Sequence, residues 1–211
     1  MRKYKIKEIF STLQGEGAKT GMAAIFCRFT GCNLWSGKEE HRAKAACRFC
    51  DTDFVGTDGT LGGRYTVEDL IELFLELWSA ETPPVIVFTG GEPALQLDDP
   101  LVQACKAHSM TICVETNGTR PLPKGIDWIT LSPKPRSKCL LKNVSELKLV
   151  YPQPENNMAP HHFDSIDAEH FFLQPMDGPN LKQNTLAAIE YCQQHPKWRL
   201  SIQTHKLIGL R

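Results

Sequence analysis

The sequence predicts an α/β fold: a partial, open βα barrel with about six core parallel strands and shortened helical connections in its second half. Apolar, β-branched runs recur along the chain, and amphipathic segments lie between some of them. At 211 residues the chain is shorter than the roughly 250 residues of a closed eightfold barrel. We therefore expect an open barrel, built as a single domain over residues 1–211.

The strands are predicted by short runs that are too continuously apolar to keep one face in water. In chain order these runs are AAIFCRF, PVIVFT, TICVET, DWITLS, ELKLVY, FFLQP and RLSIQTH. Such runs are typical of parallel strands that are buried on both faces.

Three segments have the apolar spacing of amphipathic helices. The clearest is TVEDLIELFLELWSA, where Thr66 is a suitable N-cap. The others are LDDPLVQACKAH and NTLAAIEYCQQH, the second of which ends before Pro196. Residues 134–145 contain little helical pattern, which predicts the shortened connections of the second half.

Nearly every predicted strand ends on polar residues. These strand ends are Arg28, Thr89 to Glu92, Glu115 to Asn117, Ser132 to Lys134, Gln174 with Pro175, and Gln203 to His205. Each run alone would also fit an ordinary turn. Because the carboxyl ends of parallel strands meet at one rim, where ligands bind, six such ends together predict a binding site there.

The charge balance gives no sign of a nucleic-acid or membrane partner, because 24 basic residues match 24 acidic ones. The N-terminus lacks the apolar core of a signal peptide, and no stretch approaches the roughly 18 apolar residues of a membrane span. We expect a cytoplasmic protein with a small ligand, and free cysteines in that reducing compartment.

Three cysteines, Cys32, Cys47 and Cys50, are separated by fourteen and then two residues. With Cys27 they would approach a structural zinc spacing. Alternation in AAIFCRF instead favours a buried Cys27, which leaves three thiolates for a [4Fe-4S] cluster with one open iron. His41 would also complete a zinc set, but the hydrophilic GKEEHRAK segment favours its exposure to solvent.

The segment Cys47 to Cys50, with an aromatic residue before its last cysteine, precedes a strand that ends in Gly90-Gly91-Glu92-Pro93. Together they resemble the radical S-adenosylmethionine (SAM) enzymes. The resemblance implies that the open iron binds the methionine moiety of SAM and that reductive cleavage releases a 5'-deoxyadenosyl radical. The commoner spacing has three residues where this chain has fourteen. The longer bridge is tolerable, because each doubling of a loop adds only about 0.6 kcal/mol of closure entropy.

With this bridge, the runs FSTLQGEG, CDTDF, ETNG, SPK, ELKLV, QPMDGP and QTHKLIGLR resemble the 7-carboxy-7-deazaguanine synthases over the whole chain from Glu8. That family converts 6-carboxy-5,6,7,8-tetrahydropterin to 7-carboxy-7-deazaguanine with loss of ammonia, in the pathway to queuosine and other 7-deazapurines. The resemblance implies a [4Fe-4S] cluster, SAM and Mg²⁺ as cofactors. It also implies a homodimer and a flavodoxin-like or other reductant.

The resemblance also assigns roles at the rim, and it requires no residue as a strong acid or base. The residues implied to hold SAM are Phe49, Cys50, Asp51, Gly91, Glu92, Asn117, Ser132, Pro133, Lys134, Gln174, Pro175, Met176 and Asp177. The residues implied to touch the pterin are Leu13, Gln14, Gly15, Arg28, Thr89, His205 and the carboxylate of Arg211. The hydroxyl of Thr52 would bind Mg²⁺. Arg28 would clamp the substrate carboxylate, because a guanidinium matches a carboxylate in two parallel hydrogen bonds.

Two alternatives remain open at the level of sequence. One is another short radical SAM enzyme, such as an activase that installs a glycyl radical on a partner protein. The other is a non-catalytic binding module that zinc holds together. The pterin-site motifs at residues 13–15 and 203–205 would have no role in an activase, and zinc in place of iron would identify the binding module.

Overall fold

The structure is a computed structural model that describes residues 2–210. One sheet of nine strands runs through it, in the order β3-β1-β2-β4-β5-β6-β7-β8-β9. The strands are β1 (Tyr4–Leu13), β2 (Ala23–Phe29), β3 (Gly63–Tyr65), β4 (Val85–Gly90), β5 (Thr111–Thr116), β6 (Trp128–Leu131), β7 (Asn143–Tyr151), β8 (Asp167–Pro175) and β9 (Trp198–Leu200). β2 and β4 to β9 pair in parallel, whereas β1 and β3 are antiparallel at one edge. The predicted open α/β barrel is confirmed, with seven parallel strands.

The helices are α1 (Val67–Leu77), α2 (Asp99–Ala107), α3 (Leu181–Gln194) and the short α4 (Thr204–Leu207). The predicted N-cap of α1 is confirmed as a capping box. The backbone N–H of Asp69 donates to Thr66 Oγ1 at 3.2 Å, and the backbone N–H of Thr66 donates to Asp69 Oδ2 at 2.8 Å. This reciprocal pair satisfies two donors that the first helical turn leaves without partners.

The second half of the barrel is shortened as predicted. Between β5 and β8, a stretch that the structure describes throughout, the connections contain only 3-10 turns, at Asn156–Met158 and Pro160–Phe163. Within residues 2–210, no helix has the length and apolar character needed to cross a membrane.

The two ends of the sheet differ from expectation. β1 was not among the predicted strands, although its alternation of buried Tyr4 and Ile6 with exposed Lys5 is a strand signal. At the other end, β9 ends at Leu200, so Gln203 to His205 do not close a strand. Thr204 and His205 instead begin α4.

Alternate residues of β4 face two different environments. Ile86 and Phe88 lie in an apolar core beneath α1 and α2, whereas Thr89 points to the barrel interior. Phe88 is fully buried between two other rings, with its ring centroid 5.8 Å from that of Phe29 and 6.0 Å from that of Phe74. The packing of Ile86 and Phe88 against the helices therefore fixes the position of β4, and with it the position of Thr89 at the rim.

Phe88→Ala should lower the free energy of unfolding by about 3–5 kcal/mol, because it removes a buried ring and leaves a cavity. Leu186→Ala is the control, since this side chain is 59% exposed on α3 and a surface change of this kind costs less than about 0.5 kcal/mol. Chemical denaturation of the cluster-free protein, followed by circular dichroism, measures both. Equal losses in the two variants would contradict the assignment of Phe88 to the core.

Candidate functional site

The carboxyl ends of the parallel strands and the loops above them line one cavity of about 690 Å³. Most of the residues that the sequence predicted for the site meet there. Those that line the cavity are Leu13, Gln14, Gly15, Arg28, Cys32, Cys47, Phe49, Cys50, Asp51, Thr52, Thr89, Gly91, Asn117, Ser132, Lys134, Gln174, Pro175, Met176, Asp177 and His205. Residues far apart in the chain thus share one site, as the common rim of a parallel sheet requires.

Glu92 and Pro133 are not among the lining residues. The Glu92 carboxylate is fully buried beneath the rim, where it accepts from the backbone N–H of Ala94 at 3.0 Å, from Thr116 Oγ1 at 2.7 Å and from the backbone N–H of Asn117 at 2.8 Å. Burial raises its pKa above the ordinary value although these hydrogen bonds oppose the shift. Glu92 thus connects the end of β4 to the residue after β5. The predicted contact of Arg211 lies outside the described residues.

Three thiols, not four, face the cavity. Cys32, Cys47 and Cys50 line it, whereas Cys27 is fully buried in the apolar core on the opposite face of β2. This separation removes Cys27 from the four-thiolate zinc set. Among residues 2–210, no group of three or more His, Cys, Asp or Glu side chains has the arrangement needed to hold a single metal ion.

The side chains of Cys47 and Cys50 lie close enough for each to affect the ionisation of the other. The thiol of Cys47 stabilises the thiolate of Cys50, which lowers the pKa of Cys50 to about 6 and raises that of Cys47. A thiolate is the form that binds iron. The three side chains therefore suit a [4Fe-4S] cluster with one iron left open.

The side chain of Lys134 is half-buried and lies near these thiols. Its Nζ donates to the backbone carbonyl of Ser132 at 2.9 Å and to Ser132 Oγ at 2.6 Å. Burial lowers its pKa, while the nearby Cys47 and Cys50 oppose that shift. Lys134 and Ser132 place donors and an acceptor side by side on the cavity wall, which suits a polar, extended cofactor.

An ion pair that sequence reasoning missed lies in the wall of the cavity. Lys148, in the middle of β7, contacts the Glu16 carboxylate, and its Nζ also lies 3.7 Å from Glu115 Oε1. Glu16 Oε1 accepts from Gln174 Nε2 at 3.2 Å and from Gln203 Nε2 at 2.9 Å. Burial alone would raise the pKa of Glu16, but Lys148 outweighs it and lowers the pKa to about 2.

The backbone of the QGEG run holds Glu16 in place. Gly17 has a φ of +66°, and its N–H donates to Ser201 Oγ at 2.9 Å. A Cβ on Gly17 would lie 2.3 Å from Oε1 of Glu146, whose other carboxylate oxygen, Oε2, accepts the N–H of Ala18 at 2.8 Å. Only glycine fits this close approach with positive φ.

Glu115 connects two of the predicted substrate residues. Its carboxylate accepts from Gln14 Nε2 at 3.1 Å and from Thr89 Oγ1 at 3.1 Å. Glu115 was among the polar strand ends that predicted the rim. The signal that would have found Lys148 is a charged residue within an otherwise apolar strand, because such a residue is buried only with a partner.

Arg28 lies on the wall of the same cavity, where its Nε donates to Glu8 Oε1 at 2.8 Å. Both side chains are mostly buried, at 18% and 12% exposure. Glu8 therefore restrains the guanidinium that the sequence predicted as a carboxylate clamp.

Residues of the C-terminal segment line one wall of the cavity. Thr204 donates through both its N–H and its hydroxyl to the backbone carbonyl of Gly15, and a Cβ on Gly15 would lie 2.2 Å from His205 Nδ1. Lys206 Nζ contacts Asp51 Oδ2 at 2.7 Å and Asp177 Oδ2 at 2.5 Å. This lysine, which the sequence did not single out, joins the cysteine loop to the end of β8.

Comparisons with known proteins agree with this geometry. Residues 42–205 match the model of the radical SAM superfamily. The chain is 56% identical over 210 residues to the 7-carboxy-7-deazaguanine synthase of Bradyrhizobium diazoefficiens, covering 99% of both chains. It is 54% identical over 209 residues to that of Bordetella pertussis, covering 98% of this chain and 99% of the other.

The fold is similar to the crystal structure of QueE from Escherichia coli, with a TM-score of 0.72, 27% identity and coverage of 96% and 95% of the two chains. The chain belongs to the radical SAM superfamily and, within it, to the family of 7-carboxy-7-deazaguanine synthases. Membership of this superfamily implies a [4Fe-4S] cluster and SAM as cofactors. The zinc-held binding module is therefore excluded.

The Glu16–Lys148 pair generates a stability prediction. Lys148→Met should lower the free energy of unfolding at pH 7 by about 3–5 kcal/mol, because it leaves a buried carboxylate without its cation. The double variant Glu16→Gln/Lys148→Met should recover most of that loss. Denaturant titration of the cluster-free proteins measures all three.

The difference in free energy of unfolding between the Lys148→Met variant and the unmodified protein should become smaller as the pH is lowered. The pKa of Glu16 falls from 4.5 to about 2 on folding, so its stabilising effect is complete above pH 4.5 and is lost as the pH falls toward 2. In the variant, protonation of the unpaired Glu16 relieves the penalty. A loss that stays constant between pH 7 and pH 3 would contradict this account.

Proposed function

We propose that this protein converts 6-carboxy-5,6,7,8-tetrahydropterin to 7-carboxy-7-deazaguanine with loss of ammonia, in queuosine and 7-deazapurine biosynthesis. The observation that carries the proposal is that three thiols and most of the residues proposed to bind SAM and the pterin line one continuous cavity. The names of the full-length relatives support the same reaction. An activase would leave Gln14, Thr89 and Arg28 without a function.

The chain would hold its cofactors at one side of the cavity. Cys32, Cys47 and Cys50 would bind the cluster, and donors from neighbouring strand ends would bind SAM. When bound, the cluster and SAM would supply the radical chemistry that removes a substrate hydrogen and contracts the ring. The residues proposed to hold SAM are Phe49, Asp51, Gly91, Asn117, Ser132, Lys134 and Gln174 to Asp177, with Glu92 and Pro133 behind them.

The substrate would lie against the hydrogen-bonding groups of the other side. Arg28, held by Glu8, would receive the substrate carboxylate in a bidentate contact. Gln14 and Thr89 would present amide and hydroxyl groups to the ring, with Leu13, Gly15, His205 and the terminal carboxylate of Arg211 also in contact. These residues would orient the pterin and exclude water, and none is needed as a strong acid or base.

We also propose Mg²⁺ at Thr52. The carboxylates on either side of it are paired, Asp51 with Lys206 and Asp53 with Lys7, whose Nζ lies 2.7 Å from Asp53 Oδ2. Because both carboxylates are already bound by lysines, the proposed magnesium ion would be bound through the Thr52 hydroxyl, water and substrate oxygens. These are the hard ligands that this ion prefers.

The remaining proposals concern the setting of the enzyme. One sheet that runs through residues 2–210 supports a single radical SAM domain. Eight free cysteines support a cytoplasmic location. A homodimer and a flavodoxin-like or other reductant follow from the family resemblance, and sedimentation and reconstitution with a reduced flavodoxin test them.

The direct test is anaerobic incubation of cluster-loaded protein with reductant, SAM, Mg²⁺ and 6-carboxytetrahydropterin, followed by mass spectrometry. A 7-carboxy-7-deazaguanine product is expected. If SAM were cleaved but no deazapurine formed, the substrate would be wrong while the superfamily would stand.

Arg28→Ala should raise the KM for the carboxypterin by about 10–100-fold, the equivalent of the roughly 1.5–3 kcal/mol of a hydrogen bond to a charged group. The KM for SAM should change little. Arg64→Ala is the matched control, because this exposed arginine of β3 lies outside the cavity. Equal effects of Arg28→Ala on both substrates would argue against the clamp.

Thr52→Val should raise the Mg²⁺ concentration needed for half-maximal activity by about tenfold or more, because it removes the hydroxyl ligand but keeps the shape of the side chain. Thr52→Ser retains the hydroxyl and should behave as the unmodified enzyme. A magnesium titration of each variant measures the effect. If Thr52→Val showed an unchanged magnesium dependence, the ion would have to be placed elsewhere.

A further inference from the structure

The fourteen residues between Cys32 and Cys47 fold against the cysteine loop. The segment Glu39–Lys44 forms a 3-10 turn, and the N–H of Ala46 donates to the carbonyl of Leu34 at 3.0 Å, which closes the bridge on itself. Trp35 is only 7% exposed and packs edge-on against Phe54, with ring centroids 5.6 Å apart. The bridge therefore has a small apolar core of its own.

That core reaches the cluster ligands. Trp35, Ala45 and Phe54 are its buried members, and Cys32 and Cys50 pack against them. Two of the three cysteines predicted to bind the cluster therefore pack against this small apolar core.

One guanidinium connects the parts of this segment. Nη1 of Arg42 donates to the backbone carbonyl of Arg48 at 2.8 Å and to that of Cys50 at 3.0 Å. The other edge of the same group binds the Glu39 carboxylate, with Nε donating to Oε2 at 2.6 Å. Its plane also lies over the Trp35 ring, with Cζ 4.0 Å from the ring centroid.

These contacts need an arginine. The carbonyls of Arg48 and Cys50 lie in an irregular loop, and a single donor shared between them fixes the chain on both sides of Phe49. A planar guanidinium can donate from one edge to two carbonyls, pair with a carboxylate at the other and stack on a ring. A lysine ammonium is a point charge and cannot make this set of contacts together.

We propose that Arg42 is a positioning residue for the cluster site. It holds the Cys47–Cys50 loop in its ligating conformation before the cluster is present, and so allows a fourteen-residue bridge to replace a short connection. Arg42 lies behind the loop and is not among the cavity-lining residues. The inference depends on the cluster of the superfamily and not on the identity of the substrate.

The test compares Arg42→Ala and Arg42→Lys with two controls after anaerobic reconstitution with iron and sulfide. Arg48→Ala removes a neighbouring arginine whose side chain has no hydrogen bond or ion pair within residues 2–210. Glu39→Gln removes the ion pair but keeps Arg42 and its bonds to the two carbonyls. The readouts are iron and sulfide content, the electron paramagnetic resonance spectrum of the reduced cluster, and the rate of iron loss to a chelator.

Arg42→Ala should lose iron to the chelator about tenfold faster than the unmodified protein, because two charge-assisted bonds to the loop are gone. Its reduced spectrum should broaden. Arg42→Lys should resemble Arg42→Ala, whereas Arg48→Ala and Glu39→Gln should resemble the unmodified protein. Normal iron content, spectrum and chelation rate in Arg42→Ala would overturn the proposal.

Amide hydrogen exchange of the cluster-free proteins separates a local effect from a general loss of folding. Faster exchange in Arg42→Ala should be confined to the bridge and residues 47–52. Faster exchange across the whole sheet, in Arg42→Lys as well, would overturn the proposal and make Arg42 a residue of general stability. So would equal iron loss in Glu39→Gln and Arg42→Ala, which would place the effect in the ion pair. None of these readouts needs the pterin, so they stand apart from the substrate assay.

Discussion

The contact between Glu16 and Lys148 joins the two halves of a barrel that does not close. Within residues 2–210 the sheet has free edges at β3 and β9, so no strand pairing there connects its first strands to its last. Glu16 follows β1, whereas its partners Lys148, Gln174 and Gln203 lie on β7, on β8 and after β9. Two charges are stable in this interior because they neutralise each other and because amides satisfy the remaining carboxylate oxygen. Contacts between side chains in the interior thus connect the two halves of this open barrel, whereas backbone hydrogen bonds between strands would do so in a closed barrel.

This cross-connection also shapes the binding site. The loop that delivers Glu16 is pinned by Ser201 and Thr204, which lie beyond the last strand. The same loop presents Gln14 and Gly15 to the cavity. A substrate bound there would contact residues from both ends of the chain. The distance between the halves of the open barrel, which the buried ion pair sets, therefore also sets the width of the site.

The features that could be predicted from the sequence are those that depend on local residue patterns. Continuous apolar runs located the parallel strands, the polar strand ends located the rim, and alternation on β2 separated Cys27 from the three cavity-facing thiols. The sequence did not predict the pair Glu16–Lys148, because these residues are 132 positions apart and neither carries a local signal for its partner. The sequence also could not predict the direction of the Glu92 side chain or the bonds of Arg42 to two carbonyls. Both depend on the conformation of loop backbone, which no residue periodicity indicates.

The lysine–carboxylate ion pairs of the cavity provide fixed charges and do not exchange protons at neutral pH. Lys148 keeps the pKa of Glu16 near 2, and the carboxylates around Lys148 raise its own pKa above the ordinary value. Both groups therefore stay charged throughout the neutral range. Asp51 and Asp177 both form ion pairs with Lys206, whose Nζ lies 2.7 Å and 2.5 Å from their Oδ2 atoms. Such fixed charges favour a reaction in which the cofactor breaks the bonds, because groups that are already paired orient a polar ring without competing for its protons. General acid–base catalysis would instead need a group whose pKa lies near the working pH. Cys50, with a pKa of about 6, comes nearest to that range, and its thiolate is proposed to bind the cluster.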